Sequence, residues 1–220
     1  MAHQNDSFIR EVNDELRSEQ VKAVWLRFGG ILAMLAVLIV IGTIGKVAYD
    51  YWHETSASAS GDEFLAALTL AKDNKSDEAL AAFEKLEADG YGAYPVLAQM
   101  RAATLKAQKG DTAAAIADFS AISKNEAIVQ PMRDAARIRA AYLLVDTGTY
   151  QQVSAEAEQL AVDGNGLRNS AREALGLSAY KAADKAKAKE WFQQIVDDSQ
   201  APRGLANRAR MLLDVMASAQ

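Results

Sequence analysis

The chain has 220 residues, half of them hydrophobic, with three prolines, no cysteine and a formal net charge of −5. No disulfide framework and no thiolate metal site is open to it, and the acidic balance argues against a general nucleic-acid binder. Abundant alanine with so little proline favours closely packed helices, because alanine joins the best helix propensity to the least bulk. The length suits one sizeable domain plus an anchor, and the expected fold class is all-α.

Residues 1–27 read as a short polar segment. Ser7 suits a helix cap, and Phe8, Val12 and Leu16 recur every four residues, which predicts an amphipathic helix. Four basic residues stand against five acidic ones here, so attraction to anionic lipid is weak. A contact with a membrane protein through Phe8, Val12 and Leu16 is the preferred reading over adsorption to the leaflet.

From Phe28 to Gly45 there are 18 consecutive uncharged residues, bracketed by Arg27 and Lys46. At the α-helical rise they span about 27 Å, close to the hydrocarbon thickness of a bilayer. Trp25 and Phe28 flank one end and Tyr49, Tyr51 and Trp52 the other, as an interfacial belt requires. A soluble core helix is rarely apolar all round for this length. A cleaved signal peptide has a shorter apolar core and a cleavage site close behind it, whereas Ala57-Ser58-Ala59 lies twelve residues past Gly45. The expectation is a retained transmembrane helix over 28–48. Arg10, Arg17, Lys22 and Arg27 precede it and only Lys46 follows within twenty residues, which places the N-terminus in the cytoplasm. A bacterial inner membrane with the rest of the chain in the periplasm follows.

Residues 49–60 read as a polar linker, and 61–220 as the periplasmic domain. That domain is self-similar. A small residue recurs at Ala67, Ala103, Ala141 and Gly176, at spacings of 36, 38 and 35. Twelve residues after each stands Ala79, Ala115, Val153 or Ala188, then Phe83, Phe119, Ala157 or Phe192, and then Leu86, Ile122, Leu160 or Ile195. Small residues let paired helices approach, and an aromatic one turn later fills the space beside them. A period near 34 with a central turn is the signature of the tetratricopeptide repeat. Turn residues fall at 73–75, 109–111 and 147–149 within hairpins, and at 89–90, 124–125 and 163–166 between them. The expectation is about four helical hairpins in an α-solenoid, with Arg203 to Ala217 as a capping helix.

A charged start ("DSFIREVNDELRSEQVKAVWLRFG"), one transmembrane helix and a divergent tetratricopeptide domain together resemble the YfgM-type ancillary SecYEG translocon subunits, closest to the alphaproteobacterial members. The resemblance implies a non-catalytic periplasmic domain that works beside the translocon with periplasmic chaperones and secretory clients.

Chemistry finds little support. His3 and His53 fall on opposite sides of the predicted membrane and cannot share a metal or a triad. "DGNG" at 163–166 has Ala174 where a calcium loop needs its bidentate glutamate, so it reads as a turn. Lys181, Lys185 and Lys189 form a stripe that reads as a solvated helix face. No enzyme activity and no cofactor is expected. Binding is expected in a concave groove lined by the first helix of each hairpin, with Phe64, Leu68, Leu97, Met100, Ile138, Tyr142, Leu177 and Tyr180 turned toward it. The same residues also suit packing between neighbouring helices. The function expected is an accessory scaffold at the translocon, or alternatively an accessory or assembly subunit of another inner-membrane complex such as a respiratory one.

Overall fold

A computed structural model describes residues 3–218, with side chains at 22 and from 25 onward. The described residues form nine α-helices, one 3-10 turn and no strand. The helices are α1 (His3–Lys72), α2 (Ser76–Asp89), α3 (Tyr94–Gln108), α4 (Thr112–Lys124), α5 (Gln130–Thr147), α6 (Tyr150–Ala157), α7 (Arg168–Lys181), α8 (Lys185–Asp197) and α9 (Arg203–Ser218). The chain divides into two units at residues 56 and 57.

In the first unit α1 is one uninterrupted helix. Residues 49–60, expected as a linker, are helical throughout, since no proline or glycine interrupts them. The segment from Trp25 onward is long and apolar enough to cross a membrane, and its most apolar 18-residue window has a mean hydropathy of 2.4 with none of it buried. Leu32, Leu35, Leu38, Ile39 and Ile41 all stand exposed. Lys46 and Asp50 pair at 2.5 Å at the end of this stretch. The side chains of Phe8, Val12 and Leu16 lie outside those the structure describes.

The second unit is built of antiparallel hairpins: the last turns of α1 with α2, then α3 with α4, α5 with α6, and α7 with α8, closed by α9. The repeat positions explain why. Ala67, Ala103, Ala141, Ala79, Ala115, Val153 and Ala188 are all fully buried, as are Phe83 and Phe192, with Phe119 nearly so. The small residues set the helix separation and the rings fill what lies beside them. Phe64 completes this pattern in the first hairpin, its ring 5.7 Å from Phe83 and 5.9 Å from Tyr94.

Local chemistry fixes the ends. Asp111 and Asp184 accept from the backbone N–H groups of Ala114 and Lys187, capping α4 and α8. Thr149 and Gln152 form a reciprocal capping box on α6. Pro95 and Pro131 sit in the first turns of α3 and α5, where no backbone donor is lost. The third hairpin is the irregular one. Its second helix has Ala157 in place of the aromatic, stops after eight residues, and passes into the 3-10 turn Glu158–Leu160, which brings Leu160 into the core.

Candidate partner-binding face

The first helices of the third and fourth hairpins lie side by side, α5 against α7, and the closing helix α9 meets α7. Side chains tie them along one face. Arg139 of α5 donates to Thr104 Oγ1 of α3 at 3.3 Å. Tyr142 of α5 donates its hydroxyl to Glu173 Oε2 of α7 at 2.7 Å. Arg208 of α9 grips the same carboxylate with both prongs, Nε to Oε1 at 2.7 Å and Nη2 to Oε2 at 3.2 Å. Lys181 of α7 donates to the carbonyls of Val145 and Asp146 at the end of α5, where the helix dipole favours a cation.

Glu173 is therefore the pivot of three helices. Its side chain is 7% exposed, whereas that of Arg208 is 54% exposed, so the guanidinium reaches from solvent to neutralise a buried charge. The carboxylate raises the affinity of Arg208 for its proton in turn. Burial, and then the hydrogen bond to Glu173, push the Tyr142 phenol well above the ordinary tyrosine range.

A second polar knot holds the fourth hairpin together. Asp198, just after α8, accepts from Arg168 Nε at 2.6 Å, Arg168 Nη2 at 3.0 Å and Asn169 Nδ2 at 2.8 Å. The Arg168 guanidinium, with help from Asn169 and the Gln200 backbone N–H, holds its carboxyl far below the usual carboxylate range. Arg172 Nη2 donates to Asp163 Oδ1 at 2.9 Å, which turns the "DGNG" loop into a clasp on α7.

The predicted groove residues fare differently from one another. Ile138 is only 8% exposed and belongs to the core, so it is not available to a partner. Phe64 and Leu68 pack on the first core cluster, Met100 on the cluster of Phe119, and Leu177 on that of Phe192. Leu97 is half-buried. Tyr142 and Tyr180 remain, at 36% and 38% exposed. Tyr180 lies seven residues beyond Glu173, on the same face of α7. What the residue pattern missed is the polar ladder of Tyr142, Glu173 and Arg208. Its one signal is the run "RNSARE" opening α7, too polar for a helix packed on α5, α6, α8 and α9.

A sequence profile of the tetratricopeptide repeat-like domain matches residues 22–217 of the chain. No curated protein and no solved structure matches it.

Proposed function

The chain belongs to the tetratricopeptide repeat-like family, and from that premise we propose that it is a membrane-anchored, non-catalytic scaffold that holds partner proteins beside an inner-membrane machine. The observation that carries the anchor is the exposed apolar stretch of α1, with Leu32, Leu35, Leu38, Ile39 and Ile41 facing outward together. Water does not tolerate so large a continuous apolar surface, and a bilayer covers it at no cost. The distribution of lysine and arginine supports an N-terminus in the cytoplasm with the hairpins in the periplasm.

The repeat unit supplies the binding. Stacked hairpins present their first helices as a surface, and here Tyr142 and Tyr180 are partly exposed on it. Tyrosine brings large contact area with little rotamer entropy to lose, which suits partner capture. The machine we favour is the protein-export translocon, with periplasmic chaperones and secretory clients as the proteins held. That choice leans on the resemblance of the whole layout to the YfgM-type subunits.

Site-specific photo-crosslinking from positions 142 and 180 in living cells tests the reading. Adducts with translocon subunits, chaperones and varied exported proteins are expected. Adducts confined to one unrelated membrane complex would make the protein a dedicated subunit of that complex instead.

A further inference from the structure

The loop from the 3-10 turn to α7 holds Asn165-Gly166, where one of the chain's seven asparagines, alone among them, precedes a glycine. The backbone amide that follows an asparagine is a nucleophile held beside the side-chain carbonyl, and glycine leaves it sterically open. Here the side chain is folded back over that amide. Asn165 Oδ1 accepts from the Leu167 N–H at 2.8 Å, closing a ring of atoms that contains the Gly166 nitrogen. Gly166 is exposed, with nothing within 4 Å of where a Cβ would sit, and its N–H donates to no group among the described residues. On the other side Asn165 Nδ2 donates to Asp134 Oδ2 at 3.2 Å. Asp134 is 9% exposed, and its other oxygen accepts from Gln130 Nε2 at 2.6 Å, so both of these partners are neutral amides.

We propose that Asn165 is a self-modification site, at which deamidation in water loosens the joint between the third and fourth hairpins. The Gly166 nitrogen bonds to Asn165 Cγ, and the bond from Cγ to Nδ2 breaks to leave a cyclic imide. The amide proton passes through solvent to Nδ2, which departs as ammonia. Water then opens the imide at either carbonyl, giving aspartate or isoaspartate at 165. Water is the only co-reactant. The Leu167 N–H lies on the oxygen where negative charge develops during attack, which favours that step. The product changes what the loop can hold. An aspartate at 165 offers Asp134 no donor, and it sets a second carboxylate against one that is almost wholly buried. The cations bonded to the loop are already engaged, Arg168 with Asp198 and Arg172 with Asp163. Asp134 lies near the start of α5 and the loop leads into α7, so the repulsion falls where those two first helices meet.

The test incubates the full-length protein in detergent micelles at physiological pH and temperature. Tryptic mass spectrometry, with fragmentation that tells aspartate from isoaspartate, follows each asparagine. The mass gain of amide-to-acid conversion should accumulate first at residue 165, with both isomers present. Gly166→Ala fits the open space and should slow the conversion by about tenfold or more, since a Cβ restricts the rotation that ring closure needs. Asn165→Asp should lower the unfolding temperature and speed amide exchange in the loop and the first turns of α5 and α7. Asp134→Asn/Asn165→Asp returns one donor and one carboxylate to the pair and should recover most of that loss. Residue 165 left intact while other asparagines react, or an equal rate in Gly166→Ala, would overturn the modification. An Asn165→Asp protein as stable as the native one would overturn its effect on the joint.

Discussion

A methyl group placed on Gly176 of α7 would lie 2.7 Å from the ring of Phe192 on α8. The glycine is the small residue of the fourth hairpin, and the ring is its aromatic filler. The two make one packing unit, in which the backbone itself forms the wall that the ring meets. Gly176→Ala should therefore destabilise the protein by about 1–3 kcal/mol through overpacking, although alanine is the better helix former. Chemical unfolding followed by circular dichroism checks this. A double-mutant cycle with Phe192→Leu should be non-additive, with part of the alanine penalty recovered once the ring is gone.

Asp198 supplies a pH dependence. Its carboxyl is held below the ordinary range in the folded state, so the folded protein binds fewer protons than the unfolded chain in acid. The stability it contributes is complete above the unfolded carboxylate value of about 4 and is lost as the pH falls below it. Asp198→Asn should lower the unfolding midpoint at pH 7, and the gap from the native protein should begin to narrow as the pH falls below about 4 and go on narrowing below pH 3.

Tyr142 runs in the opposite sense. Its phenol is raised, so the folded state keeps a proton that the unfolded chain gives up at about pH 10, and stability falls as the pH rises past that point. Of the seven tyrosines, this one should ionise last in a spectrophotometric titration at alkaline pH. Glu173→Gln removes the charge that opposes the phenolate, so the late phase should move back toward the ordinary range. Burial remains in that variant and keeps the return partial.

Arg208 and Glu173 test the tie between α7 and α9. Arg208→Ala leaves a carboxylate that is 7% exposed with only the Tyr142 hydroxyl as partner, at a cost of about 1–3 kcal/mol. Glu173→Gln in the same chain should restore much of that loss, since a neutral amide needs no counter-ion. Amide hydrogen exchange should show α9 opening more often in the single variant and less in the double.

The repeat was legible because it is written in residue size. Ala67, Ala79 and Phe83, with their counterparts in later hairpins, occupy buried positions whose spacing survives in one dimension. The polar ladder was hidden for the reverse reason. Glu173 finds Tyr142 and Arg208 at sequence separations of 31 and 35, and an acidic residue in a helix is ordinarily solvated. Ile138 was assigned to the groove by its place in the repeat, yet α5 packs on both neighbours there and covers it. The stretch 49–60 is polar enough to suit a linker. No breaker residue stands in it, and a helix already nucleated propagates through such residues at little cost.

The most direct test of the scaffold reading is affinity purification of the full-length protein in mild detergent, with quantitative mass spectrometry of what accompanies it. Translocon subunits recovered with periplasmic chaperones and a scatter of secretory clients are the predicted result. Recovery of one respiratory or other membrane complex at fixed stoichiometry, without export components, would contradict it.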